Sequence, residues 1–237
     1  MRRLLLSLLM CCVAPGAELP SQLSPDDIGA IVGELSGSGA IRLMRSAEAY
    51  PKFWPGLKVG VEFDFLFAGG LEKLGAGNGN VPTFIPQPKF YLSKGLFYGV
   101  ELIFSFFPGS ALSTLGSTGG IVKWTFYDEI QKDLSVAGYV GYTSLMGLNG
   151  TYHGSTFEAG VYGSKDFVRL RPYLGIGFIR GSGEVPLPFA ATADNSSSTL
   201  MIHTFLGCEF NLPVSISAQL DLYNMAPRAA IFFGKKF

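Results

Sequence analysis

The chain has 237 residues, balances 18 Lys and Arg against 18 Asp and Glu, and is 48% hydrophobic with 31 Gly and 20 Phe. A net charge near zero, with no basic stripe interleaved with aromatics, excludes a nucleic-acid partner. Beyond the N-terminal leader no apolar run reaches the roughly 20 residues of a membrane-spanning helix. A chain this apolar therefore hides its surface as a large sandwich, or as a barrel whose apolar face meets lipid.

Arg2 and Arg3 precede the apolar run Leu4–Ala14 and then Pro15-Gly16-Ala17, the layout of a cleaved secretory signal over residues 1–17. Cys11 and Cys12 fall inside it, so only Cys208 remains in the exported chain and no internal disulfide is available.

Residues 18–56 form the next unit. Ser24 followed by Pro25, Asp26 and Asp27 is a helix start. Ile28, Ile31, Val32 and Leu35 make a narrow apolar stripe ended by Gly37 and Gly39. Two placements are open. The helix lies at the periplasmic rim, or it plugs a barrel and sets Arg42 and Arg45 against acids of the lumen.

From residue 57 to 237 the pattern has period two. In "GLKVGVEFDFLF", residues 56–67, Val59, Val61, Phe63, Phe65 and Phe67 alternate with Lys58, Gly60, Glu62 and Asp64. The same alternation runs through 96–107, 169–179 and 214–223. It recurs more weakly at 84–94, 120–128, 134–146, 155–164, 199–210 and 227–237. That is ten candidate strands, with eight or twelve as neighbouring counts. Their connections alternate: short at 93–95, 129–133, 164–166 and 211–213, long at 69–83, 108–119 and 181–198. Such alternation fits short periplasmic turns and long outer loops. Trp54, Phe67, Phe84, Trp124, Tyr142, Tyr223 and Phe237 sit near strand ends, as an interfacial girdle would. The loop "GAGNGN" at 75–80 and "GSTGG" at 116–120 read as external loops, since neither stands between a buried strand and a helix.

The tail carries a resemblance. Ala229, Ile231, Phe233 and Phe237 alternate up to a terminal aromatic, and residues 57–237 resemble bacterial outer-membrane β-barrel proteins as a class. Lys235 departs from the apolar choice usual there. The resemblance implies an all-β fold, a transmembrane antiparallel up-and-down barrel of a Gram-negative outer membrane. It implies contact with outer-membrane lipid, and recognition by the barrel-assembly machinery through Ile231, Phe233 and Phe237. A monomer is expected.

The lumen-facing charges are Lys58, Glu62, Asp64, Lys89, Glu101, Lys123, Glu158, Arg169, Arg171, Glu209, Asp221 and Arg228, six of each sign. Lys89 and Glu101 are placed opposite one another in a hairpin turning at Lys94-Gly95. Small barrels fill their interiors with side chains, so this set reads as a neutralising network before it reads as a pore lining. The function expected is structural or a porin-like narrow channel, without enzyme activity.

Two other functions compete. "TYHGSTFEAG" places His153, Ser155 and Glu158 within six residues. The His-x-Ser pair is similar to the outer-membrane lipid A deacylases, which would make His153 a base and Ser155 a nucleophile on outer-leaflet lipid. Glu158, however, has the opposite parity. The third function is a surface-binding module built on loops 69–83 and 181–198. No cofactor is expected, and no metal, because His153, His203 and Cys208 are too widely spread to chelate one.

Overall fold

The computed structural model describes residues 19–49, 56–67, 71–77, 84–107, 115–129, 133–147, 152–167, 169–186, 190, 195–210, 212, 214–224 and 226–237. Residues 1–17 and Trp54 lie outside the described residues. Among the described residues one α-helix, α1 (Pro25–Gly39), precedes ten strands. The strands are β1 (Leu57–Phe67), β2 (Phe84–Gly95), β3 (Val100–Phe107), β4 (Leu115–Glu129), β5 (Leu134–Gly147), β6 (Tyr152–Lys165), β7 (Leu170–Glu184), β8 (Ser196–Phe210), β9 (Ser215–Tyr223) and β10 (Ala226–Lys236). Each strand pairs antiparallel with its sequence neighbours, and β1 closes on β10, giving an up-and-down barrel without a free edge. Ten strands match the number read from the sequence.

The alternation sorts the faces as expected. Leu174, Ile176, Leu206, Leu220 and Phe233 are outside and exposed, while Glu62, Asp64, Lys89, Glu101 and Asp221 are inside and fully buried. Among the described strand residues, charge on the outer face lies in the terminal thirds of the strands, at Lys94, Glu129, Lys165, Arg180, Glu184 and Lys235. A continuous apolar band between these ends is the surface that a bilayer covers.

Four local expectations need correction. The first hairpin turns at Phe97–Gly99, where Tyr98 (φ 58°) and Gly99 (φ 74°) take the left-handed conformation, and not at Lys94-Gly95. Glu101 therefore lies opposite Gly95 and, on its other side, Lys123, while Lys89 falls one residue beyond the last β2–β3 pair, Phe90 with Phe106. Residues 116–120 belong to β4 and are not a loop. Their glycines fit because a Cβ at Gly119 would stand 2.5 Å from Thr143 Oγ1. Tyr223 faces inward, stacked on His203 at 4.5 Å, whereas Trp124, Tyr142 and Phe237 are exposed on the outside. Arg169 is exposed in the turn before β7 and does not face the lumen.

Two further features have local causes. Pro86 and Pro88 lie in the part of β2 above Phe90, which pairs with β1 and has no β3 partner. Proline is tolerated where a strand needs no ladder donor on one side. A bulge between Thr125 and Tyr127 lets Phe126 and Tyr127 both point outward, breaking the parity of β4.

Inside, α1 packs on β5–β8 and β1. Its start is built as the sequence dictates. Ser24 and Asp27 form a capping box: Ser24 Oγ accepts from Asp27 N at 3.2 Å and Ser24 N donates to Asp27 Oδ2 at 3.0 Å. Ser24→Ala should cost about 1 kcal/mol of stability, read as a lower urea midpoint. The bond from Ser24 holds the Asp27 carboxyl below its usual range. A depressed folded value means the contribution is present at neutral pH and fades as pH falls through that value.

The helix ends at Gly39, within the Gly37–Gly39 stretch expected to stop it, and its last four residues, Ser36–Gly39, are all buried. Small residues are required there by the narrow lumen. A Cβ at Gly39 would come within 2.4 Å of Leu145, and one at Gly37 within 3.1 Å of Arg228.

Candidate functional site: the plugged lumen

The helix and the segment after it occupy the barrel interior. Ile28, Ile31, Val32 and Leu35 pack with Leu145, Tyr152 and Val185 toward the end where β1 leads into β2. Ile41, Leu43, Met44 and Ala47 continue into a cluster with Tyr91, Tyr139, Tyr162, Tyr173, Phe205 and Phe232. The 18–56 segment thus has its described helix inside the barrel, entering at the mouth where Pro25 and Asp26 are exposed and ending in the buried turn Ser36–Gly39.

Two layers of charge lock this segment to the wall. In the first, Arg42 extends to three carboxylates: Asp64 at 2.6 Å, Asp221 at 2.8 Å and Glu62 at 3.3 Å, all fully buried. Lys89 donates to the carbonyls of Ser38 (2.6 Å) and Ala40 (3.0 Å), with Asp64 at 3.8 Å. Ile41 N donates to Glu158 at 2.9 Å. Asp221 also meets His203 Nε2 and Gln219 Nε2, each at 2.7 Å.

In the second layer Arg45 pairs with Glu101 and donates to Ser93 Oγ at 2.8 Å. Lys123 joins Glu101 at 3.1 Å and donates to the Glu48 carbonyl at 2.8 Å. Glu209 accepts from Lys58 and from Ser46 N, both at 3.0 Å. Thr125 Oγ1 donates to the Ala47 carbonyl, and Ala47 N to Ser164 Oγ. Arg171 closes the bottom of this layer on Glu48 and Asp166. At the other end Arg228 meets Glu34 at 2.8 Å.

The structure therefore gathers eleven of the twelve expected lumen charges inside the barrel, Arg169 being the exception, and brings Arg42 and Arg45 onto wall acids. What the residue pattern did not single out are the plug's backbone contacts and the roles of Ser93, Thr125, Ser164, His203 and Gln219. Their inward parity was the one available signal. Each charge of the two layers has an opposite charge or a backbone partner within reach, Glu158 meeting only the Ile41 N–H among the described residues, which suits a sealed interior better than a chemical one.

His153, Ser155 and Glu158 do not form a catalytic group. His153 is exposed on the outer face and Ser155 shares it, with its Oγ 3.0 Å from Ser182 Oγ. Glu158 is on the opposite face, buried and bonded to the plug. A nucleophile needs its base and orienting acid within hydrogen-bond reach; here the sheet separates Glu158 from the other two. His203 is in the lumen and Cys208 is half-buried on β8, far from any shared site with His153.

No protein-family model matches this chain, and no curated protein matches it. Among solved structures it is similar to the N-terminal β-barrel domain of Pseudomonas aeruginosa OprF, at 15% identity and TM-score 0.37, over 76% of this chain and 97% of that one. It is similar to the KdgM porin at 8% identity and TM-score 0.38, over 76% and 99%. A third is OmpT, an outer membrane protein of Vibrio cholerae, at 8% identity and TM-score 0.35, over 64% and 55%. These likenesses are of barrel architecture alone.

Proposed function

We propose that the chain is a sealed outer-membrane barrel of a Gram-negative cell, exported with a cleaved signal at residues 1–17 and closed by its own residues 19–48. The observation that carries this reading is the plug itself, with Arg42 and Arg45 buried on wall carboxylates inside an apolar-coated barrel. Short connections of four residues at 96–99, 130–133, 166–169 and 211–214 share one end with Leu57 and Phe237, and connections 68–83 and 185–195 share the other. By the usual asymmetry of such barrels the first end is periplasmic and the second is outside. Lipid contacts the apolar band, the C-terminal strand engages the assembly machinery, and the barrel works as a monomer.

The role is structural, with any narrow conduction gated by the plug. In planar bilayers the purified, heat-modifiable protein should be electrically silent. Steady ohmic conductance from the intact chain would overturn the sealed reading, and recovery outside the outer-membrane fraction would overturn the location.

The barrel is not a lipid hydrolase. Ser155→Ala should leave the mass spectrum of outer-leaflet lipid A unchanged in cells that express it, and loss of a deacylated species would reverse that assignment.

A further inference from the structure

We propose that this barrel carries its own N-terminal segment to the outer surface, so that the chain passes through the membrane once as plug in addition to its ten strands. The inference rests on the outward assignment of connections 68–83 and 185–195 made above.

The direction of the plug is fixed by its contacts, taken in chain order. Leu23 bridges Ala190 in the 185–195 connection. Ser21 accepts from Ala76 N of the 68–83 connection at 2.8 Å. A Cβ at Gly29 would stand 3.4 Å from Ser197 Oγ and one at Gly33 3.9 Å from Thr199 Cγ2, so both face the start of β8 at the same end. Glu34 then meets Arg228, and Arg42 meets Asp64 and Asp221 midway down the wall. Arg45 meets Ser93 and Glu101 beside the first short turn, and Ala47 meets Thr125 and Ser164 near two others. Leu57 finally pairs with Phe237 at the short-turn end. Residues 21 and 57 therefore stand at opposite mouths.

An exported chain arrives on the periplasmic side of the outer membrane. A segment with two deeply buried arginines, contacting β1–β10 nearly all the way round, cannot be drawn through the closed lumen after the wall has formed, because each guanidinium would have to leave its water before meeting its acids. The wall is therefore assembled around the segment, and the segment's first residues are delivered outside as the strands cross. Gln22, Pro25 and Asp26 are exposed at that mouth, where they form part of the outer surface.

The test uses single cysteines in the full chain, with Cys208 changed to Ala, and a membrane-impermeant maleimide applied to intact cells. Asp26→Cys reports the plug start, Lys73→Cys the 68–83 connection and Tyr98→Cys the short-turn end. Heat-modifiable migration confirms that each variant has folded. The expected result is labelling of D26C and K73C on intact cells, and of Y98C only after the outer membrane is permeabilised. Labelled K73C with silent D26C overturns the inference while the barrel's orientation stands. Labelled Y98C with silent K73C overturns the orientation itself and, with it, the outward delivery.

Discussion

Arg42→Ala should cripple the barrel, with loss of most heat-modifiable protein and a clear fall in the urea midpoint of what remains. The guanidinium is fully buried and meets Glu62 and Asp64 on β1 and Asp221 on β9. Removing one partner of a buried ion pair costs about 3–5 kcal/mol, because the charges left behind have no water to replace it. Here three acids lose their shared cation, and Lys89, already bonded to two carbonyls, is the remaining base of that layer. Net stabilities are about 5–15 kcal/mol, so the loss is a large fraction of the whole.

Geometry adds a second effect. The closing seam pairs only Lys58–Asp64 with Lys236–Ala230, and Arg42 ties β1 to β9 across it from inside. Arg42→Lys should recover little, since one ammonium cannot reproduce a planar fork meeting several carboxylates. Neutralising the acids in the same background, with Glu62→Gln, Asp64→Asn and Asp221→Asn, should restore folding. An unchanged midpoint in R42A would show that the carboxylates are not held by Arg42.

The wall of this barrel was legible because period-two alternation is a local property: Val59 through Phe65 against Lys58 through Asp64 needs no partner strand to be read. The hairpin at Phe97–Gly99 was not, because Lys94-Gly95 has turn chemistry and Tyr98 does not, although Tyr98 joins Gly99 in the left-handed region. That displacement separated Lys89 from Glu101 and gave each a different partner.

The charge census shows the limit most clearly. Six acids and six bases along the strands look self-neutralising. Yet Arg169 is outside the lumen, Arg171 is committed to Glu48 and Asp166, and Arg228 to Glu34. The wall then holds Glu62, Asp64, Glu101, Glu158, Glu209 and Asp221 against Lys58, Lys89, Lys123 and, toward the chain's C-terminal end, Lys236, 3.3 Å from Glu209. It is an acid-rich cavity, two cations short, and Arg42 and Arg45 of the plug make up the difference. Pairings such as Arg42 with Asp221, 179 residues apart, arise only when the barrel closes, so no spacing in the chain announces them.

A small change on the wall should open the lumen without unfolding it. Gly181 on β7 faces the last turn of α1, and a Cβ there would stand 2.0 Å from Ser36 Oγ and 2.4 Å from Ser36 Cβ. Gly181→Leu adds four carbons where not even one fits. The helix cannot move sideways to make room, because Gly39 is already against Leu145 and Gly37 against Arg228. The wall, by contrast, loses nothing: Gly181 keeps its ladder partners Thr156 and Thr199, and leucine fits a strand at least as well as glycine. Overpacking typically costs about 1–3 kcal/mol, less than the cost of breaking the barrel, so the last turn of α1 gives way before the wall does. The expected result is discrete channel openings in planar bilayers from a G181L protein that still shows heat-modifiable migration. Deletion of residues 19–48 gives the reference conductance for an empty lumen, with lower stability because the acids lose Arg42 and Arg45. A folded, silent G181L would mean that the helix has room to yield at Ser36, and that the seal is made lower down, by Arg45, Ser46 and Ala47 on the second charge layer.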